Sequence, residues 1–252
     1  MNSWYETNYS LALCRSMDCK VFGHGGIPVL FIPCQEGRFY DFENFRMVDT
    51  WAPFIEAGKV QVFCVDVLDG ETLTSKDWDK EKRIARYEQW VRHIVDEFVP
   101  WMKAVNGSGK KPMLFGCSLG ALHAANLYFR FPDVFGSVFA LSGIYSMEYN
   151  FDGYSSDLIY QNSPVSSLGG MAGEHPYIKK YNEGKMIFVV GQGDWEWETK
   201  AGTADLDAVC KQKGIRAEFH YWGYDVKHDW DWWFRQVETY LPALIDFYEV
   251  NL

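Results

Sequence analysis

Residues 113–121 read MLFGCSLGA, and this segment is the strongest indication of the fold in the sequence. Its first five residues form a short, continuously apolar run, which is typical of a strand buried on both faces of a sheet. Residues 116–120 then match the pattern G-x-S-x-G, and a predicted helix over 119–131 stops before Pro132. The sequence therefore predicts a buried strand, a tight turn at Ser118 and a helix in immediate succession.

Strand and helix signals alternate on both sides of this stretch. Apolar runs predict strands at 28–33, 60–67, 136–141, 186–190 and 217–222. Helical signals lie at 45–56, 80–105, 204–213 and 230–250. Pro242 is expected to kink or split the last helix. Two signals near the N-terminus, 10–15 and 18–23, predict an antiparallel hairpin. The alternation predicts an α/β fold, with a mainly parallel twisted sheet and helices on both faces.

Residues 144–185 interrupt this alternation. They are rich in Tyr, Ser, Asn and Gly, and about forty residues are long for a connection. Because the segment is too short and too polar for an independent domain, we expect it to be an insertion over the active site. Residues 1–252 then form a single domain.

The composition excludes several classes of function. The chain has 252 residues, of which 48% are hydrophobic and 23% charged, and its net charge is −10. This acidic balance disfavours nucleic acids and anionic membrane surfaces as partners. No apolar stretch is long enough to span a membrane, and the N-terminus lacks a secretory pattern. We therefore expect a cytoplasmic protein, although a protein whose leader had been removed would show the same sequence. Assembly into a homo-oligomer is possible.

Ser118 is the candidate nucleophile. A G-x-S-x-G turn between a strand and a helix exposes the serine hydroxyl, and its glycines let the two elements approach. The helix N-terminus faces the oxyanion that develops during attack. Serine needs a base, and the sequence has six histidines. His228 is the candidate base, because it follows the last predicted strand in a polar turn and precedes the final helix.

Two carboxylates compete for the acid that orients this base. The acid should follow the penultimate strand, where residues 191–198 read GQGDWEWE. Asp194 and Glu196 both stand at usable distances from the strand, and either carboxylate can stabilise an imidazolium. The oxyanion hole needs two N–H donors, which we expect from Leu119 and from Gln35 in the loop after the strand at 28–33. Cys34 is the second choice in that loop.

Three stretches together resemble the putative-esterase family of α/β-hydrolases. They are residues 116–121 (GCSLGA), 191–196 (GQGDWE) and 223–230 (GYDVKHDW). That family includes feruloyl and acetyl esterases, S-formylglutathione hydrolases and mycolyltransferases. Many members have G-x-x-D at the acid, which would select Asp194. The mycolyltransferase branch places a glutamate after a G-x-G turn, which favours Glu196.

The resemblance implies a serine carboxylesterase with the α/β-hydrolase fold. Its expected substrate is a small acyl or aryl ester, of the acetylated-sugar or hydroxycinnamate type, and the reaction passes through an acyl-enzyme. A thioesterase, an acyltransferase or a catalytically dead binding protein on the same fold is the alternative. We expect no cofactor and no metal ion, because Asp225, His228, Asp229 and Asp231 lack the spacing of a metal site.

Aromatic residues make up 17% of the chain and concentrate near the candidate site. The tyrosine-rich residues 145–160 and five tryptophans flank it in sequence: Trp195, Trp197, Trp230, Trp232 and Trp233. Rings with polar tips suit sugar or aryl esters, so we expect part of this surplus to form pocket walls. Trp233 is instead expected to pack the final helix against the sheet.

Overall fold

Eight strands form one mixed sheet in the computed structural model, which describes residues 1–251. The strands are β1 (Ser3–Ser10), β2 (Arg15–Phe22), β3 (Ile27–Ile32), β4 (Val60–Val65), β5 (Met113–Cys117), β6 (Ser137–Leu141), β7 (Lys185–Val190) and β8 (Glu218–Tyr221). Their order in the sheet is β1-β2-β4-β3-β5-β6-β7-β8. β1 and β2 form an antiparallel hairpin and β2 is antiparallel to β4, whereas all pairs from β4 to β8 are parallel. The predicted fold class is confirmed.

Helices connect the parallel strands and cover both faces of the sheet. They are α1 (Asp41–Asn44), α2 (Met47–Glu56), α3 (Lys80–Arg92), α4 (Val99–Asn106), α5 (Leu119–Arg130), α6 (Asp157–Gln161), α7 (Pro164–Gly170), α8 (Pro176–Glu183), α9 (Trp197–Lys213) and α10 (Trp230–Asn251). A π-helical turn, His93–Phe98, joins α3 to α4. Two 3-10 turns, Asp69–Glu71 and Met147–Phe151, precede α3 and α6.

The hydrophobic core is divided in two by the sheet. Along β5, Leu114 packs into the cluster that contains α3, α5 and α9, whereas Phe115 packs into the cluster that contains α2 and α10. Every residue of β5 is buried, as a central parallel strand requires. On the second face, the buried ring of Trp51 packs 4.9 Å from that of Phe115. The carboxyl ends of the strands therefore stand on a support that is packed from both sides.

Some predicted boundaries are wrong. The first predicted strand, 10–15, covers mainly the turn between β1 and β2, where Cys14 has a φ of 53°. β1 is an edge strand with polar and exposed positions, so it lacks the apolar pattern that marks buried strands. Pro242 does not split α10, which continues as one helix. Because Pro242 and Glu238 face solvent, water can satisfy the Glu238 carbonyl that the proline leaves without a donor.

The turn from β5 into α5 leaves no room for side chains at its glycines. A Cβ on Gly116 would lie 2.3 Å from the carbonyl oxygen of Gly120. A Cβ on Gly120 would lie 2.3 Å from the carbonyl oxygen of Ile32, at the end of β3. The two glycines therefore allow α5 to begin directly against β5 and β3, which the pattern at 116–120 predicts.

Gly120→Ala is expected to lower the free energy of unfolding by about 1–3 kcal/mol, because the new methyl group overpacks the contact between α5 and β3. Urea unfolding measures the change. Gly169→Ala is the matched control, since a Cβ at that position in α7 meets nothing within 4 Å. We expect the control to be neutral or stabilising by up to about 1 kcal/mol. Equal stability of the Gly120→Ala variant and the wild type would contradict the steric argument.

Candidate active site

Ser118 stands at the strained corner between β5 and α5. Its φ of 57° and ψ of −125° are unfavourable for a residue with a side chain. The Ser118 N–H donates to the Leu141 carbonyl at 2.8 Å, and the Ser118 carbonyl accepts from the Ala121 N–H at 3.0 Å. These bonds hold the corner, and the hydroxyl lines a cavity at the carboxyl edge of the sheet. This is the geometry that the sequence pattern predicts.

His228 approaches Ser118 from the turn between β8 and α10. Its Nε2 lies 2.9 Å from Ser118 Oγ, within hydrogen-bond distance. The backbone N–H of His228 donates to the backbone carbonyl of Asp194 at 3.0 Å. The imidazole ring packs edge-on against Trp233, with 5.0 Å between ring centroids. The backbone bond and the ring contact orient the imidazole toward the serine. Residues separated by 110 positions in the sequence are therefore brought into contact.

Glu196 lies on the other side of the imidazole and is fully buried. Its Oε2 is 3.2 Å from His228 Nδ1. The remaining donors to the carboxylate are the Ser142 hydroxyl at 2.6 Å, the Gly191 N–H at 3.3 Å and the Thr199 hydroxyl. Because a buried carboxylate is costly unless it is hydrogen-bonded, this ring of donors accounts for a charge at this depth.

Asp194 points away from this arrangement. Its side chain is 66% exposed and pairs with Lys227 at 2.7 Å, which raises the pKa of the lysine. Its hydrogen bond with His228 is made by the Asp194 backbone carbonyl, which accepts from the His228 backbone N–H. Of the two carboxylates that the sequence proposes, the structure brings Glu196, and not Asp194, to the imidazole. Trp195, between them, has a φ of 66° and lies in the turn that is closed by the hydrogen bond from the Glu196 N–H to the Gly193 carbonyl at 3.2 Å.

Ser142 and Thr199 were not anticipated from the sequence. Ser142 directly follows β6, and its hydroxyl accepts from the Trp233 indole N–H at 3.0 Å while it donates to Glu196. Thr199 stands one helical turn after Glu196 in α9. The signal for Ser142 was its place at the carboxyl end of a buried strand. The signal for Thr199 was its spacing of three residues from the glutamate.

The two expected oxyanion donors lie at the same cavity. Leu119 and Gln35 both line it. Within residues 1–251, neither backbone N–H donates to a protein acceptor. Cys34, the second choice, is half-buried and does not line the cavity, and burial raises the pKa of its thiol to about 12. Burial also raises the pKa of Cys117 well above its usual value, so this neighbour of Ser118 is a neutral thiol.

The cavity has a volume of about 180 Å³. Its other walls come from the region after β6 and from the start of α9: Ser142, Ile144, Tyr149, Asn150, Trp195, Glu198 and Thr199. The Tyr149 hydroxyl donates to Glu198 at 2.7 Å, which raises the pKa of the tyrosine. This bond links the 3-10 turn Met147–Phe151 to α9 across the cavity.

The tryptophans near the site have different positions. Trp195 lines the cavity, is 71% exposed and lies beside the exposed Trp197, with 5.3 Å between ring centroids. Trp233 is buried, as expected for packing α10 on the sheet. Trp230 stacks on Phe45 at 4.8 Å. The cavity therefore receives one of the five tryptophan rings, and the aromatic surplus as a whole serves mainly the core.

Residues 1–251 contain no cluster of three or more His, Cys, Asp or Glu side chains that could hold a metal ion. Over the same residues, no helix combines the length and the apolar character that crossing a membrane requires.

The fold and the serine–histidine contact define a serine hydrolase with the α/β-hydrolase fold. The family model described as putative esterase matches residues 15–244, so the chain belongs to the putative esterase family. The family and the enzyme class expected from the sequence are confirmed. No curated protein matches the chain.

Several solved structures share the fold. A ferulic acid esterase aligns with a TM-score of 0.76 at 15% identity, with 98% of each chain covered. An S-formylglutathione hydrolase from Agrobacterium tumefaciens aligns with a TM-score of 0.72 at 14% identity, over 99% of this chain and 95% of the other. MPT51 (FbpC1) from Mycobacterium tuberculosis aligns with a TM-score of 0.71 at 13% identity, over 97% of this chain and 99% of the other. At such identities the likeness shows the fold alone.

Ser142→Ala is expected to lower the free energy of unfolding by about 1–3 kcal/mol, because it leaves the Trp233 indole N–H without its acceptor and removes a donor from buried Glu196. Urea unfolding measures the loss. The control is the same substitution in a Trp233→Phe background, where the indole N–H is already absent and the loss should be smaller. Fully additive losses would show that the two side chains do not share a network.

Proposed function

We propose that this esterase is a serine carboxylesterase in which Ser118 is the nucleophile, His228 the general base and Glu196 the acid that orients the base. The observation that carries the proposal is the continuous chain of contacts at the cavity: Ser118 Oγ to His228 Nε2 at 2.9 Å, and His228 Nδ1 to Glu196 Oε2 at 3.2 Å. Distances of this size permit proton transfer from the hydroxyl to the imidazole.

The proposed reaction has two halves. Ser118 Oγ attacks the ester carbonyl while His228 Nε2 takes its proton, and Glu196 stabilises the imidazolium. The tetrahedral oxyanion accepts hydrogen bonds from the backbone N–H groups of Leu119 and Gln35. His228 then protonates the departing alcohol, which leaves an acyl-enzyme on Ser118. A water molecule, activated by His228, releases the acid and restores the serine.

The identity of the acid gives a sharp test. Glu196→Gln is expected to lower kcat for p-nitrophenyl acetate by about 10³- to 10⁴-fold, because an amide can donate to Nδ1 and then favours the wrong imidazole tautomer. Asp194→Asn is the matched control in the same loop, and we expect less than about a threefold change, since its ion pair is exposed. A larger loss for Asp194→Asn than for Glu196→Gln would reverse the assignment.

The proposed substrates are small acyl or aryl esters of the acetylated-sugar or hydroxycinnamate type. The size and the lining of the cavity support this proposal. Its volume of about 180 Å³ lies below the 300–1,000 Å³ of typical drug-sized pockets. Trp195 offers an exposed ring at the cavity against which an aryl group or a sugar face can pack. Glu198 adds a carboxylate there, which favours neutral over anionic substrates.

The organisation of the chain is part of the same proposal. Residues 1–252 form a single α/β-hydrolase domain, and residues 144–185 are an insertion that contributes to the substrate pocket. The cavity-lining positions of Ile144, Tyr149 and Asn150 support this interpretation. The Tyr149–Glu198 hydrogen bond supports it further, since it ties the segment to α9 beside Ser118.

A panel of p-nitrophenyl acetate, acetylated sugars, hydroxycinnamate esters and acyl thioesters tests function and substrate class together. We expect turnover of acetyl or hydroxycinnamoyl oxygen esters by the wild type and none above background by Ser118→Ala. Trp195→Ala should raise KM for a hydroxycinnamate ester by about tenfold through loss of ring packing. Trp232→Ala, which alters a ring outside the cavity lining, should leave that KM unchanged.

Each contrary outcome of the panel has a definite meaning. Equal rates for the wild type and Ser118→Ala on every ester would sink the catalytic proposal. A clear preference for acyl thioesters would replace the carboxylesterase by a thioesterase that uses the same residues.

A further inference from the structure

A buried hydrogen-bond chain joins α5 to the turn that carries Gln35. Asp69 opens the 3-10 turn after β4, and its Oδ2 accepts from the Glu36 N–H at 2.9 Å. Its Oδ1 lies 3.2 Å from His123 Nε2, and the side chains of Asp69 and His123 are each 1% exposed. None of these residues lines the Ser118 cavity, so the proposed reaction leaves the buried Asp69–His123 pair unexplained.

The turn at Gln35 has an unfavourable residue at its critical position. The Gly37 N–H donates to the Cys34 carbonyl at 2.9 Å, which closes a four-residue turn with Gln35 and Glu36 at its centre. Glu36 has a φ of 54°, whereas the φ of Gln35 is negative, so the turn is of type II. Type II turns favour glycine at the Glu36 position. A type I turn, which glutamate tolerates, would reverse the peptide between Gln35 and Glu36.

Asp69 counters this tendency. The N–H that it accepts belongs to the very peptide whose orientation distinguishes the two turn types. A hydrogen bond to a buried carboxylate is stronger than one to a neutral group, and it is lost if the peptide reverses. Asp69 therefore holds the Glu36 backbone in the conformation that glutamate would otherwise leave.

Both ring nitrogens of His123 have hydrogen-bond partners. Its Nδ1 lies 2.9 Å from the Tyr87 hydroxyl, and the Asn126 side-chain amide donates to that hydroxyl oxygen at 3.2 Å. Because the Asp69 carboxylate can only accept, Nε2 carries the proton that is donated to it, and Nδ1 accepts from the Tyr87 hydroxyl. His123 belongs to α5, the helix that begins with Leu119. These hydrogen bonds thus connect α5 and the turn at Gln35, the two segments whose backbone N–H groups are proposed to bind the oxyanion.

We propose that Asp69 and His123 are positioning residues. They hold the turn at residues 34–37, so that the backbone N–H of Gln35 stays in register with the backbone N–H of Leu119 for oxyanion binding. The proposal rests on the proposed function, because it assumes that these two amides bind the oxyanion. It assigns the buried pair to transition-state stabilisation, beyond a general contribution to folding.

The first test compares Asp69→Ala with Asp69→Asn. For Asp69→Ala we expect kcat on p-nitrophenyl acetate to fall about 10- to 100-fold, with KM within about threefold, as for partial loss of an oxyanion donor. Asp69→Asn keeps an oxygen that can accept from the Glu36 N–H, because His123 can accept from the new amide at Nε2 and donate from Nδ1 to the Tyr87 oxygen, so its loss should be clearly smaller. The affinity for a trifluoromethyl ketone, which forms a tetrahedral oxyanion on serine, should fall in parallel with kcat/KM.

Glu97→Ala is the matched control. Glu97 also bridges a histidine and a backbone N–H, with His93 Nδ1 at 2.8 Å and the Ala12 N–H at 2.9 Å, but it stands apart from the cavity. We expect Glu97→Ala to lower the thermal unfolding temperature without a change in kcat or in inhibitor affinity. Equal effects on kcat from Glu97→Ala and Asp69→Ala would overturn the positioning role.

A rescue variant separates positioning from folding. Glu36→Gly places at the type II position the residue that this turn favours, so the turn no longer needs Asp69. The double variant Asp69→Ala/Glu36→Gly should therefore recover a large part of the kcat that Asp69→Ala loses. Failure of this rescue in a double variant that remains folded would overturn the proposal.

Hydrogen exchange reports on the turn even without turnover. Asp69→Ala should accelerate exchange at the Glu36 backbone amide relative to Glu97→Ala, because this N–H loses its acceptor. Normal activity of the wild type with unchanged kcat and exchange in Asp69→Ala would refute the positioning role and leave the esterase proposal intact. A wild type that is no faster than Ser118→Ala would refute the esterase proposal, and unchanged exchange would then refute the held turn separately.

Discussion

The site depends on the strained backbone at Ser118. A residue with φ of 57° and ψ of −125° persists only where its surroundings determine it fully, and here they do. β5 is buried on both faces and cannot shift, while Gly116 and Gly120 let α5 start in contact with β5 and β3. The Ser118 N–H is fixed to the Leu141 carbonyl of β6. The corner therefore presents a hydroxyl at the sheet edge and an N–H of α5 beside it.

The buried charge of Glu196 imposes a second constraint. Its donors come from the ends of β6 and β7, from the first turn of α9 and from the turn before α10. Parallel strands bring their carboxyl ends to one edge, so groups far apart in sequence can converge on a single carboxylate. Ser142 also binds Trp233, which in turn packs on His228. Burial of α10 and orientation of the imidazole are thereby coupled.

Much of this arrangement follows from patterns in the sequence. The apolar runs and the glycines around Ser118 predict the strand–turn–helix unit, and the position of His228 after the last strand predicts its arrival at the same edge. The pattern was weaker for β1, because an edge strand is polar and exposed. The sequence pattern does not distinguish Asp194 from Glu196 as the acid. Although they stand two residues apart in a loop, Asp194 pairs with Lys227 at the surface and Glu196 meets His228 in the interior, with Trp195 at positive φ between them.

The aromatic content shows the same division. The sequence shows a surplus of rings near the site, but it does not distinguish a ring in the core from one at the cavity. In the structure Trp51 and Trp90 are buried, Trp233 supports the site from within, and Trp195 reaches the cavity. The distinction depends on the local backbone and on the elements packed against each ring, which lie far away in sequence.

The fold class, the family, the strained serine and the histidine beside it follow from the amino-acid sequence alone, because each depends on local periodicity, on glycine at two positions or on chain order. Three features become visible only in the folded molecule: which carboxylate meets the histidine, which ring lines the cavity, and how Asp69 holds the turn beside Gln35. Those features are contacts between side chains and backbone groups on separate elements. Their geometry is set by packing across the sheet edge, and no local pattern of residues encodes it.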